Sequence, residues 1–283
     1  MTFALTPRTP IEYLVIGHIT CDVTDNGLQP GGTAAYAALT AHALGLRPGI
    51  VSAHGEEMPL HALAHLPIVT LHTGRSTTFE NLYTPQGRVQ YLRHAAPPLG
   101  YPHIPDAWRT PRIVHLGPVA QEVEPDLARR FPDALLAVTP QGWLRGWDAN
   151  GRVYPDEWVE ANFVLRRADC AVMSVEDVQG DEHRIEEMAS ACPVLVVTEG
   201  AAGARLYWNG DVRRFRAPEM PEVDATGAGD IFAAAFFIRY DQTRDPWEAA
   251  RFATLLAANS VTRRGLLGAP TPEEVLACTV EVL

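Results

Sequence analysis

Hydrophobic positions along this chain gather in short runs with few polar interruptions, not in alternation. Ile11–Gly17, Ile50–Ala53, Ile68–Leu71, Ile113–Leu116, Leu135–Val138, Ala171–Met173 and Val194–Thr198 are mostly apolar from end to end. A strand covered on both faces has no polar side to present, so these runs predict buried strands of a parallel sheet. Helical stretches lie between and after them, at Thr33–Leu44, Pro125–Phe131, Glu157–Arg166, Val178–Ala191, Gly229–Tyr240, Trp247–Val261 and Pro272–Cys278. Strand–helix alternation of this kind predicts an α/β protein with a mostly parallel sheet between layers of helices.

Two segments depart from the pattern. Thr77–Arg93 holds two strand-like runs around Pro85-Gln86-Gly87, a hairpin with one polar face. Together with His18–Leu28 it predicts a small sheet projecting from the main body. Ala204–Trp208 and Val212–Phe215, separated by Asn209-Gly210, form a second hairpin. There is no internal repeat, low-complexity tract or linker. The expectation is one domain over residues 1–283, with a β-lid contributed by about 18–30 and 77–94.

Composition narrows the chemistry. At 283 residues and 47% hydrophobic content the chain can bury a large core. The net charge of −11, with no basic run to offset it, argues against nucleic acid or an anionic membrane as partner. All 23 basic residues are Arg. Without Lys there is no Walker-type phosphate loop and no Schiff-base chemistry. Cys21, Cys170, Cys192 and Cys278 form no Cys-x-x-Cys pair and read as reduced, mostly buried thiols. No signal peptide is read at the N-terminus, and the apolar runs are too short to span a membrane. The expected location is the cytoplasm. His61 and His65 would share a helix face, but no third ligand accompanies them, so they read as two solvated histidines.

The most specific string is Val223-Asp224-Ala225-Thr226-Gly227-Ala228-Gly229-Asp230, which opens the apolar helix beginning Ile231-Phe232. Gly227, Ala228 and Gly229 leave backbone N–H groups uncovered at a helix start, where an anion can approach. A carboxylate beside such a site would repel the anion if recognition were its only task. Asp230 makes sense as a base that takes the proton of a nucleophile attacking a bound phosphate. Structurally, Asp224 or Thr226 also reads as an ordinary N-cap.

This string resembles the signature of the ribokinase-like (PfkB) carbohydrate kinases, Asp-Thr-x-Gly-Ala-Gly-Asp, with Ala225 in place of the usual Thr. The resemblance implies a three-layer α/β/α sandwich with a projecting β-lid, and phosphoryl transfer from ATP with Mg²⁺, leaving a monovalent cation open. It implies that Asp22 holds acceptor hydroxyls and that Gly31-Gly32 opens a helix against the substrate. The family often has Asn shortly after that pair, where this chain has Ala35-Tyr36. Thr198-Glu199-Gly200-Ala201-Ala202-Gly203 resembles the turn that approaches nucleotide phosphates, which implicates Thr198, Gly200 and Gly203. Ser174 and Asp177 stand where the family has Asn-x-x-Glu. They imply a nucleotide-site position and a water-mediated Mg²⁺ site, with Glu176 as the alternative metal group. Asn259 implies a nucleotide contact. The segment 139–145, ending in Leu144-Arg145, resembles the myo-inositol kinase branch, with Arg145 touching the substrate or the transferred phosphate. Otherwise Arg145 is a surface residue beside a Trp143/Trp147 cluster.

The implied partner is a small sugar or cyclic polyol, myo-inositol favoured. Exposed lid edges leave room for a homodimer. A nucleoside kinase of the same family and a catalytically silent sugar- or nucleotide-binding regulator on the same fold remain as alternatives. A dinucleotide-dependent oxidoreductase is disfavoured, because Gly17 begins no Gly-x-Gly-x-x-Gly and Phe232 stands where the Gly227 turn would need its third Gly.

Overall fold

The computed structural model describes residues 9–24, 27–84 and 87–279. In chain order it lays down β1 (Tyr13–Ile16), β2 (Thr20–Thr24), β3 (Gly27–Gly31), α1 (Thr33–Ala43), β4 (Pro48–His54), β5 (Ile68–His72), β6 (Thr78–Thr84), β7 (Gly87–His94), β8 (Ile113–Leu116) and β9 (Leu135–Val138). There follow β10 (Arg145–Trp147), β11 (Val153–Pro155), α2 (Ala161–Leu165), β12 (Cys170–Ser174), α3 (Glu182–Ala191), β13 (Val194–Thr198), β14 (Ala204–Trp208), β15 (Asp211–Phe215), α4 (Ala228–Thr243), α5 (Pro246–Ser260) and α6 (Pro272–Thr279).

Nine strands form one sheet in the order β15-β14-β13-β12-β9-β8-β1-β4-β5. The seven from β13 to β5 run parallel, and only β14 and β15, the predicted second hairpin, run against them. The apolar runs are explained by what covers them. Tyr13 and Val15 point into the core under α1, α4 and α5, while Leu14 and Ile16 point into the opposite core under α2 and α3. All four are fully buried, so β1 has no position for a polar residue.

β2, β3, β6 and β7 form a separate four-stranded sheet, the predicted lid, in the order β3-β2-β6-β7. One face of it carries Phe79 and Leu92, which pack on Val119 and Ala120 of the main body. Val23, Leu28 and Leu82 stand exposed on the other face. The predicted turn residues Pro85 and Gln86 lie outside the described residues.

Several predicted helices are shorter or tighter than expected. Pro125–Phe131 is a 3₁₀ turn over Pro125–Arg129, and Glu157–Arg166 contracts to α2. Val178–Ala191 is broken, because Gln179 and Gly180 take left-handed backbone (φ 53° and 74°) that no helix continues through. It becomes a 3₁₀ turn at Val175–Val178 followed by α3, capped by the Asp181 side chain. His61 and His65 do not share a helix face; His61 starts a short 3₁₀ turn and the ring of His65 meets His42 at 4.9 Å. Trp143 stacks on Trp158 at 4.9 Å, not on Trp147, which joins the lid contact instead. All four cysteines are buried and unpaired. No helix among the described residues is long and apolar enough to cross a membrane.

Candidate active site

The parallel strands β1, β9, β12 and β13 end on one side of the sheet, at Gly17, Thr139, Val175 and Glu199, and the first turn of α4 comes to the same side. In open parallel sheets this is where ligands bind.

The turn before α4 is stapled at both ends. The N–H groups of Val223 and Asp224 both donate to the Val261 carbonyl (2.8 and 3.0 Å). The Asp224 carboxylate accepts from the Thr226 N–H at 2.9 Å and from the Gly265 N–H at 2.8 Å. Burial pushes against its ionisation, but those bonds outweigh it and hold Asp224 below its ordinary pKa. Asp224 therefore ties the turn to Gly265. The N-cap position itself falls to Gly227, in left-handed backbone at φ 80° with no side-chain cap. A Cβ there would enter the ring of Tyr36 on α1.

One detail of the expected anion cradle changes. The Ala228 N–H is already engaged at the Ala225 carbonyl (3.2 Å), because the turn closes on itself there. Among the described residues of this turn, the N–H groups of Ala225, Gly227, Gly229 and Asp230 have no protein partner. Unpaired amides at a helix start carry the positive end of the helix dipole.

Asp230 lies in that first turn, half-buried. Burial pushes its carboxyl up to about 6, helped by the like charges of Asp177 and Asp22. A hydrogen bond from the Thr33 hydroxyl and the guanidinium of Arg145 pull the other way. The Thr33 bond is 2.6 Å long and joins α1 to α4. Asp22, on β2 of the lid, accepts from the Thr20 hydroxyl at 3.3 Å. Gly31, near it across the β2–β3 pair, has no room for a side chain, since a Cβ would lie 3.0 Å from the Thr20 hydroxyl. Gly32, at φ 83°, turns the chain into α1.

Arg145 opens β10 with its guanidinium 5.8 Å from the ring of Phe79 on the lid and 3.5 Å from the Val119 carbonyl. Its charge acts on both Asp230 and Asp177. It is thus no isolated surface residue.

Ser174 and Asp177 form a reciprocal cap. The Ser174 hydroxyl accepts from the Glu176 N–H at 3.1 Å, and the Asp177 carboxylate accepts from the Ser174 N–H at 2.8 Å. The other Asp177 oxygen accepts from the Gln141 side chain at 3.2 Å. Burial raises the Asp177 pKa, and Arg145 opposes it. Among the described residues no three His, Cys, Asp or Glu side chains stand close enough to hold a metal unaided.

Thr198 ends β13 with its hydroxyl donated to the Met173 carbonyl (3.3 Å). Gly200 and Gly203 both take positive φ, 58° and 99°, and a Cβ on Gly203 would lie 2.8 Å from the Ala217 nitrogen. Glu199, just before Gly200, is gripped by Arg205 (2.6 Å) and Arg214 (3.2 Å), which fixes the turn. Asn259 directs its amide nitrogen to the Leu255 carbonyl (3.3 Å) and toward Cys278 of α6, so its carbonyl oxygen is what it can offer a ligand. Sequence reasoning missed Thr33, Tyr36, Gln141 and Phe79, whose partners lie far off along the chain.

A model for pfkB family carbohydrate kinases matches residues 160–273, the part of the chain that holds the Gly227–Asp230 turn. The match covers less than half of the chain. Among its relatives, a cytidine kinase of Thermococcus kodakarensis is 27% identical over 270 residues, covering 85% of this chain and 92% of that one. An inositol 3-kinase of Oryza sativa subsp. japonica is 28% identical over 250 residues, covering 80% and 62%. A solved pyrophosphate-dependent kinase of the ribokinase family, complexed with a pyrophosphate analog and myo-inositol, superposes with a TM-score of 0.74 at 22% identity, covering 94% and 99%. The fold of that solved structure is thus matched nearly end to end, and the family model and the kinase relatives make the chain a phosphotransferase.

Proposed function

We propose that this kinase moves the γ-phosphoryl group of ATP to a hydroxyl of a small sugar or cyclic polyol, with myo-inositol the favoured acceptor. The observation that carries the reading is Asp230. It is a half-buried carboxylate in the first turn of a helix at whose start the Gly227 and Gly229 amides are unpaired, and its pKa is raised to about 6. A base with a pKa near the working pH is mostly ionised yet still accepts a proton readily.

In the proposed step Asp22 orients the acceptor and Oδ2 of Asp230 takes its proton as the O–H bond breaks. The acceptor oxygen forms the new P–O bond, and the bridging P–O bond to the donor breaks with its electrons leaving on ADP. The amides of Gly227 and Gly229 and the guanidinium of Arg145 stabilise charge on the phosphoryl oxygens. The lid, seated through Phe79 and Leu92, excludes water that would otherwise be phosphorylated in the acceptor's place.

Asp177 carries an oxygen donor of the kind that suits Mg²⁺ entering with polyphosphate, and it faces Arg145 across this cleft. Asp177 would hold it, with Glu176 beside it. Both Asp177 oxygens already accept protein hydrogen bonds, which favours contact through water. When bound, Mg²⁺ supplies neutralisation of phosphate charge. Thr198, Gly200, Gly203, Ser174 and Asn259 would form the nucleotide side.

The inositol preference draws support from the inositol 3-kinase relative and the myo-inositol complex. A nucleoside acceptor is the second reading, favoured by the cytidine kinase relative and its near-complete coverage. Exposed Val23, Leu28 and Leu82 on the lid support pairing of two copies there. The four unpaired cysteines are in keeping with a cytoplasmic location.

The test is a coupled assay of donor turnover against inositols, hexoses, pentoses and nucleosides, with ATP and with pyrophosphate. The reading expects acceptor-dependent ADP release, greatest with myo-inositol. Turnover confined to nucleosides moves the assignment to the second reading. No turnover with any acceptor leaves a silent binding protein.

A further inference from the structure

The hydroxyl of Thr33 donates to Oδ1 of Asp230 across 2.6 Å, linking positions 197 residues apart. Thr33 has little freedom to release that bond. It is buried, and its γ-methyl lies under Gly117, just beyond β8, where a Cβ would stand only 2.7 Å from it. The backbone behind it is held as well. Gly32, at φ 83°, sits where a side chain would press 2.6 Å from the His18 carbonyl. With its methyl lodged and its backbone fixed, the threonine keeps its hydroxyl on the carboxylate.

We propose that Thr33 is a positioning residue for the reaction: it pins Oδ1 of Asp230, keeps the carboxylate ionised, and so leaves Oδ2 to receive the acceptor's proton. This rests on the reading of Asp230 as the base. A hydrogen bond donated to a carboxylate stabilises its charged form. That support matters here because much of the surroundings favours the neutral acid. Asp22 on β2 and Asp177 beyond β12 face Asp230 as like charges, and Arg145 on β10 opposes them. Tyr36 on α1 and Tyr13 on β1 face it as phenols that stay protonated, their ionisation suppressed first by burial. Thr33 is the neighbour that both fixes the orientation of the carboxylate and stabilises its charge through a direct bond.

The test compares kcat against pH for the wild type, Thr33→Val and Thr33→Ser, with Asp230→Asn in parallel. It is joined to a carbon-13 titration of the Asp230 carboxylate in the first three. Valine keeps the methyl packing and deletes the donor; serine keeps the donor. In Thr33→Val the acid limb and the carboxylate midpoint should both rise by about one pH unit, so turnover at pH ~6 falls about fivefold. The plateau above pH ~8 should also fall in Thr33→Val, because Oδ1 is no longer pinned, and Thr33→Ser should keep the wild-type limb and most of the plateau. A carboxylate midpoint unmoved in Thr33→Val overturns the inference. Thr33→Ala serves the same comparison if the valine variant does not fold. Should Asp230→Asn retain near-normal turnover, the base assignment falls, and the titration still decides by itself what Thr33 does to the carboxylate.

Discussion

The ring of Tyr36 occupies the space that a Cβ on Gly227 would need. This contact sets how closely α1 approaches the turn that opens α4, and so how Thr33, one turn earlier on α1, meets Asp230. Gly227→Ala imposes two penalties, a left-handed backbone at φ 80° and a collision with a buried ring. The expected loss is about 2–4 kcal/mol of stability, accompanied by a fall in kcat/KM. Chemical denaturation checks it. Adding Tyr36→Leu should recover part of the stability, a non-additive result that independent sites would not give.

The pH dependence of turnover follows from the Asp230 carboxyl, pushed up to about 6 by burial. Activity needs the ionised base, so kcat should fall with unit slope below pH ~6 and level off above pH ~7. A profile flat down to pH ~4.5 would mean that no group with this pKa takes part.

The same carboxyl carries a stability consequence of opposite sense. Its folded pKa of about 6 lies above the ordinary 3.8, so the native state holds the proton more tightly than the unfolded chain does. Its contribution is greatest below pH ~4 and is lost as pH rises through about 6. Asp230→Asn removes that loss. With the group half-exposed and partly screened, the variant should be more stable than wild type by ~1–2 kcal/mol at pH ~7. Thermal melts at pH ~4 and ~7 would show the difference vanish at the lower pH.

Arg145 is the cation acting on both Asp230 and Asp177. Arg145→Ala should lower kcat roughly 10- to 100-fold and move the acid limb upward, since removing a positive neighbour raises both carboxyl pKa values. Arg145→Lys should restore part of the limb's position but less of the rate, because an ammonium keeps the charge without the planar fork. Steady-state rates across pH separate the two effects.

How far the sequence discloses this site depends on the range of the contacts involved. β8, β9 and β13 were legible to the residue because burial on both faces leaves a run that is apolar apart from His115 and Thr198. The lid was legible from its turn residues. The break between Val178 and α3 had only Gly180 as its signal, and the β10–β11 hairpin around Asp148–Gly151 was overlooked although Gly151 marks its turn. The Gly227–Asp230 string declared an anion site by composition. It could not declare that the Ala228 amide closes on Ala225, which depends on local backbone geometry. Nor could it show Thr33 against Asp230 or Gln141 against Asp177. Those pairs are separated by 197 and 36 residues and exist only once the sheet has brought the strand ends together.

The central claim is tested most directly by following phosphate transfer itself. Phosphorus-31 NMR of wild type and Asp230→Asn, each with ATP, Mg²⁺ and the best acceptor, would show whether a phosphate monoester forms on that acceptor and how fast. The account predicts monoester in step with ADP for the wild type, and a rate lower by about 10²–10⁴-fold for Asp230→Asn with nucleotide affinity nearly unchanged. Monoester formation by Asp230→Asn at the wild-type rate would contradict it.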